Sequence, residues 1–142
     1  MKKVILLAIF PLFLSAGLDI AKVNKVLSTI KVSKKSSYQL KFYNANHQIK
    51  LNEKLKFTSQ KEADILLFPR KKVRTKVSVV DSYKKLQREK NSIGAIYLKK
   101  GRTQIIFIRE RLENKGFNLL KESQKYIVSE CQLNPLCLLT MH

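Results

Sequence analysis

Ile93-Gly-Ala-Ile-Tyr-Leu98 and Thr103-Gln-Ile-Ile-Phe-Ile108 flank the four residues Lys99-Lys-Gly-Arg102. Two runs rich in β-branched and aromatic side chains around a short glycine-containing turn predict a β-hairpin. Upstream, Ile65-Leu-Leu-Phe68 is a continuous apolar run stopped by Pro69, the pattern of a strand buried on both faces. Val77–Val80 is a second such run, and Asp81-Ser82 offers an N-cap to a short helix over Tyr83–Lys90. Downstream, Arg109–Lys115 reads as a helix closed by Gly116 in a left-handed cap. Leu119–Cys131 reads as a further helix, with Leu119, Leu120, Ser123, Tyr126 and Ile127 on one side.

The first half is less sharply patterned. Leu18–Val32 has apolar residues at near-helical spacing, with Asp19 in the first turn to favour the helix dipole. Tyr38–Tyr43 alternates on a period of two and ends at Asn44-Ala-Asn46, a strand and a turn. Ile49–Phe57 fits either an amphipathic strand or an irregular sheet edge. Strands interleaved with helices imply a single compact α/β domain, a mixed β-sheet flanked by helices.

Ahead of this domain, Met1-Lys2-Lys3 is followed by an eleven-residue apolar run, Val4–Leu14, and then by Ser15-Ala16-Gly17. A basic start, a short apolar core and small residues are the three parts of a secretion signal, and a spanning helix needs about 20 residues. We therefore expect residues 1–16 to be a cleaved signal peptide and the protein to work in the periplasm. The domain then spans residues 18–130, with a C-terminal tail over 131–142. One domain of this size builds its own core without a metal or disulfide.

The chain carries a formal charge of +19, or +17 without Lys2 and Lys3. Such an excess draws anionic partners: a membrane surface, an acidic protein face or an anionic ligand. Export argues against nucleic acid, as does the scatter of the basic residues, with no aromatic–basic strip on which bases could stack. Two clusters stand out. Arg70, Lys71, Lys72, Arg74 and Lys76 join two inner strands, and loops at the carboxyl ends of strands form ligand crevices in open α/β sheets. Lys99, Lys100 and Arg102 form the second cluster, at the hairpin tip. Each is either a solvated basic loop or a partner- or anion-binding surface.

Catalytic signatures are lacking. His47 lies in the turn Asn44–Gln48 and His142 is the last residue, so neither is set up as a general base. Glu110 and Glu113 share a helix face with Arg109, Arg111 and Lys115 around them, which reads as a surface charge network. No phosphate loop, zinc spacing or serine elbow is present. We expect no enzyme activity and no cofactor or metal. Cys131 and Cys137 are the only cysteines, and a close pair in an oxidising compartment usually bonds. Free thiols, or a redox or metal role with His142, remain the alternatives.

Several of these residues fall in an order with a family likeness. Ala63-Asp64 leads the strand Ile65–Phe68, Val79-Val80-Asp81-Ser82 closes the next, and Ile93-Gly94, Gly101-Arg102, Phe107, Lys115-Gly116-Phe117 and Leu119 follow at similar gaps. This stretch, Ala63–Val128, resembles the YfiR-like family of bacterial periplasmic proteins. The first half departs from the family's aromatic opening helix, and the chain has no tryptophan. The resemblance implies an α/β sandwich without a catalytic site. Its best-known members hold a membrane-bound diguanylate cyclase inactive by binding the cyclase's periplasmic sensor domain. Two expectations follow: a regulator that docks on the periplasmic region of such a membrane signalling protein, or a small periplasmic domain that binds an anionic solute. The sequence leaves the oligomeric state open, a homodimer included.

Overall fold

The hairpin sits well inside the sheet. In the computed structural model, which describes residues 17–35, 37–52, 54–134 and 137, strands β6 (Ser92–Lys99) and β7 (Arg102–Ile108) pair from Gly94↔Phe107 to Lys99↔Arg102. The loop is two residues, Lys100 (φ 52°) and Gly101 (φ 76°), both in the left-handed region that a primed two-residue turn requires. Upstream lie β1 (Ile30–Val32), β2 (Lys41–Asn44), β3 (Lys56–Phe57), β4 (Ile65–Leu67) and β5 (Val77–Val80); β8 (Phe117–Leu119) and β9 (Ile127–Val128) follow. Seven strands form one sheet in the order β3-β2-β4-β5-β6-β7-β9. β2, β3, β4, β5 and β6 run parallel, β7 is antiparallel to β6, and β1 pairs with β8 in a separate two-stranded ribbon.

Two apolar cores lie on the two faces of the sheet. On one, helix α1 (Ile20–Ser28) inserts Val23, Val26 and Leu27 against Phe42, Ile65, Leu67, Val79, Ile96 and Phe107. Asp19 is the N-cap of α1 rather than a first-turn residue, its Oδ1 accepting from the Lys22 amide at 3.1 Å. On the other face, helix α2 (Tyr83–Arg88) packs Leu86 against Val80, Ala95, Ile108 and Leu133. Ser82 caps α2 through the Lys85 amide at 3.1 Å. Helix α3 (Arg109–Lys115) ends where expected, at Gly116 with φ 80°. The edge strand β3 is only two exposed residues, one of them a lysine, which blunts it against further pairing. The other described residues of 49–57 form no helix or strand. No helix of the described residues is long and apolar enough to cross a membrane.

The C-terminal quarter departs from the helix expected over Leu119–Cys131. It is strand β8, a 3-10 turn over Lys121–Tyr126, strand β9 and a second 3-10 turn over Glu130–Leu133. Long-range partners take this backbone out of a helix. Leu119 pairs with Ile30, the Leu120 amide donates to the Thr29 carbonyl at 3.0 Å, and Ile127-Val128 pair with Phe107-Ile108. The buried Ser123 hydroxyl accepts from the Thr29 hydroxyl at 2.8 Å.

Leu133 is 6% exposed, so the tail begins as part of the second core. Cys131 and Cys137 are disulfide-bonded, six residues apart with Cα atoms 5.3 Å from each other. His142 lies outside the described residues, as does the signal segment 1–16. Replacing both cysteines with serine is expected to cost about 2 kcal/mol, chiefly by freeing the unfolded chain. A urea midpoint unchanged between the double variant and the parent would show that the bridge adds nothing.

Candidate functional site

Because β2, β4, β5 and β6 are neighbours and parallel, the loops that leave them emerge at one end of the sheet. α2 lies over β5 and β6, and among the described residues no helix packs closely on the same face of β2 and β4. Tyr43 and Leu66, which are register partners, point to that face, with Leu66 itself buried beneath the loop after β4. A crevice of about 400 Å³ lies over them, walled also by Pro69 and Val73 and edged by His47, Gln60, Arg70 and Lys71. The result is an apolar floor with a few polar groups converging on it, the usual build of a small-ligand site.

Two local features shape its mouth. Asn44 and Asn46 stiffen the loop after β2. The Asn44 side chain donates to the Ile49 carbonyl at 2.8 Å and accepts from the Asn46 amide at 3.0 Å, while Asn46 accepts from the Gln48 amide at 3.0 Å. These bonds hold His47 exposed at the rim. Across the crevice, Phe68 takes φ 54°, a left-handed conformation that is unfavourable for a bulky residue by about 1–2 kcal/mol. It is kept there by burial (2% exposed) and by its amide, which donates to the Val79 carbonyl at 2.8 Å. That turn sends Pro69, Arg70 and Lys71 over the floor. No local signal announces it, since a residue before proline is ordinarily extended.

The basic run Arg70–Lys76 is divided by its own path. β4 and β5 are parallel, so the connection must travel the length of the sheet from one end to the other. Arg70 and Lys71 stay with the crevice, and Lys72 is exposed beside them. Arg74 lies at the far end, its carbonyl accepting from the Asn91 side chain just before β6. Lys76 is a structural pin: its ammonium donates to the carbonyls of Lys61 at 2.6 Å and Ala63 at 2.8 Å. Lys99, Lys100 and Arg102 are exposed at the hairpin tip, apart from the crevice. Arg102 edges a different recess, shared with Asp19, Lys22, Thr103 and Tyr126.

No family model, curated protein or solved structure matches this chain.

The surface charge network expected around Glu110 and Glu113 takes another form. Arg111 is 5% exposed and turns inward, with Nε donating to Glu130 Oε1 at 2.9 Å. Glu110 accepts from the Glu130 amide at 2.8 Å. A seven-residue helix packed against β6, β7 and β8 must bury one side, and Arg111 falls on it beside Leu112. The Tyr38 phenol donates to Asp64 at 3.0 Å, which raises its pKa, and burial raises that of Tyr97. Both shifts move the phenols away from neutral-pH proton transfer. Among the described residues no three metal-ligating side chains gather in one place.

His47 and Gln60 are the members of the crevice that sequence reading missed as site residues. His47 reads locally as a turn residue, which it is; only the neighbouring position of β2 and β4 brings it opposite Arg70. No local signal marks Gln60.

Proposed function

We propose that this chain is an exported, non-catalytic binding protein that takes an anionic group into the crevice over β2 and β4. The observation that carries the reading is the convergence of Arg70, Lys71, His47 and Gln60 on an apolar floor of about 400 Å³. Arg supplies a planar fork to a carboxylate or phosphate and Lys a point charge, while the Gln amide and the His ring add further donors. The crevice is open to solvent, so each contact is screened and the expected affinity is modest. A thermal-shift series with phosphate, sulfate and small mono- and dicarboxylates should show concentration-dependent stabilisation by at least one of them. Arg70→Gln with Lys71→Gln should weaken that binding about tenfold to a hundredfold, from about 1 kcal/mol per charge-assisted contact at a wet site. No shift with any anion at about ten millimolar would refute the solute reading.

A second reading is favoured by the continuity of this surface with its neighbour. Tyr43 and His47 also line a recess of about 370 Å³ that runs to Leu51 and the edge strand, where Phe57 is 39% exposed. A face that joins a basic loop to an exposed aromatic on a sheet edge suits a protein partner. It supports a regulator docked on the periplasmic sensor domain of a membrane signalling protein such as a diguanylate cyclase, as the YfiR-like resemblance implies. Capture of such a receptor from solubilised membranes, lost on Phe57→Asp, together with altered cyclic di-GMP after gene deletion, is the expected result. Unchanged cyclic di-GMP and no captured receptor would remove this reading and leave the first untouched.

A further inference from the structure

Arg70 and Lys71 of the first basic cluster and the whole of the second, which the crevice does not unite, share the end of the molecule they occupy. Loops after β2, β4 and β5 and the hairpin tip after β6 all leave the sheet in the same direction, because those strands are parallel. Arg70 and Lys71 follow β4, and Lys99, Lys100 and Arg102 stand on the tip. The start of α1 comes to the same place: the Asp19 amide donates to the Thr103 hydroxyl at 2.7 Å, beside the tip. Lys22 and Arg102 edge the recess between them. Six cations therefore stand at one end. Of the carboxylates there, Asp81 is paired with Lys85 at 2.9 Å, Asp19 caps α1, and the exposed Glu122 shares a recess with Lys22 and Lys125.

We propose that this end of the sheet rests on an anionic phospholipid surface. Three observations favour a bilayer over the acidic face of a protein. First, four of the six cations are lysines, mobile point charges suited to a diffuse field of headgroups, whereas discrete carboxylates are better met by buried, bidentate arginines. Second, all three tip cations are exposed, and Leu98 beside them is 42% exposed, an apolar group placed to enter the interfacial layer. Third, the chain enters the fold at Gly17, in the same recess as Gly101 and Arg102. The apolar stretch Val4–Leu14 precedes Gly17 in the chain, so it connects to the domain at the end that carries the cations. The inference does not rest on the crevice as a solute site.

The test is vesicle flotation of the full chain, expressed with residues 1–16 in place and purified in the form the cell accumulates. Vesicles containing about a third phosphatidylglycerol are compared with pure phosphatidylcholine. Binding is expected on the anionic vesicles and not on the neutral ones, and is expected to fall steeply as salt is raised, because exposed charges are screened. Lys99→Gln, Lys100→Gln and Arg102→Gln together should weaken it about a hundredfold, from roughly fivefold per neutralised cation. The control removes the same charge from the opposite end, with Lys61→Gln, Arg74→Gln and Lys90→Gln, and should cost less than a quarter of that effect. Thermal melts of both triple variants establish that they fold. Equal binding to both lipids, equal losses in the two triple variants, or indifference to salt would each overturn the proposal. Failure to bind any vesicle would overturn it too, and would leave an acidic protein as what this end meets. Anion shifts lost only on changing Arg70 and Lys71 would concern the crevice alone, so the two readings fail separately.

Discussion

Replacing Gly94 with alanine is expected to lower stability by about 3 kcal/mol, at the top of the range for overpacking a well-filled core. Gly94 sits in β6 opposite Phe107 and one residue past a register shift, where Ser92 pairs with Ser78 and Gly94 with Val79. That shift puts one extra residue, Ile93, into β6 just before the position that faces Phe107. A Cβ at Gly94 would lie 2.6 Å from the Ile106 carbonyl oxygen and 2.6 Å from Cδ1 of Phe107. A ring can tilt, but the carbonyl belongs to the adjacent strand and moves only if the hairpin does. At roughly 4 °C per kcal/mol for a domain of this length, the melting temperature should drop by about 12 °C. Valine should prevent folding at 37 °C. Gly101→Ala serves as the comparison: it has open space around it but φ 76°, so it should cost only about 1 kcal/mol of backbone strain. If the two alanine variants melt together, the close approach of β7 at Gly94 is not what fixes the residue.

Replacing Arg111 with methionine should cost about 3 kcal/mol, the low end for breaking a buried ion pair, because the Glu130 side chain is 36% exposed and can turn to water. Arg111 gathers three segments. Its Nη1 donates to the carbonyls of Leu86 at 2.8 Å and Ser92 at 2.9 Å, and more weakly to that of Glu89 at 3.3 Å. These are the last turn of α2 and the first residue of β6, where helix carbonyls lack partners of their own. Nε meanwhile holds Glu130 and with it the 3-10 turn that docks Leu133. Methionine fills the volume and strands the carbonyls. Lysine keeps the charge but cannot reach both the carbonyls and Glu130, so Arg111→Lys should recover less than half of the loss. Glu130→Gln keeps an acceptor for Nε and should cost about 1 kcal/mol. Urea midpoints in the order parent, Glu130→Gln, Arg111→Lys, Arg111→Met are expected. Hydrogen exchange should show amides 130–133 opening first in the arginine variants. A methionine variant as stable as the parent would mean that apolar packing, not the fork of hydrogen bonds, holds the tail.

Those two residues show how far sequence reading reached. Gly94 stood in the run that predicted the hairpin, but its necessity comes from the distance to β7. Arg111, one of three cations beside two glutamates, had the local pattern of an exposed charge. Its burial follows from the way α3 lies against α2 and the tail, partners that are 19 to 25 residues away in the chain.

What the sequence determined alone is what neighbouring residues decide among themselves. Alternating apolar residues around Lys99–Arg102 make the hairpin, Ser82 starts a helix, Gly116 ends one, and Ile65–Leu67 forms a strand too apolar to face water. Fold class followed from the succession of these elements. Strand order was beyond it, because placing β3 outside β2 and β4 inside it depends on contacts between segments with no local trace of each other. From that order come the crevice, the meeting of His47 with Arg70, the division of Arg70–Lys76 between two ends of the sheet, and the gathering of the tip cations with the start of α1. The C-terminal quarter makes the same point in reverse: a helical spacing from Leu119 onward yielded to strand pairing with Ile30 and Phe107. Local spacing sets which conformations a segment tolerates; buried backbone hydrogen bonds, which must be satisfied somewhere, decide which one it keeps.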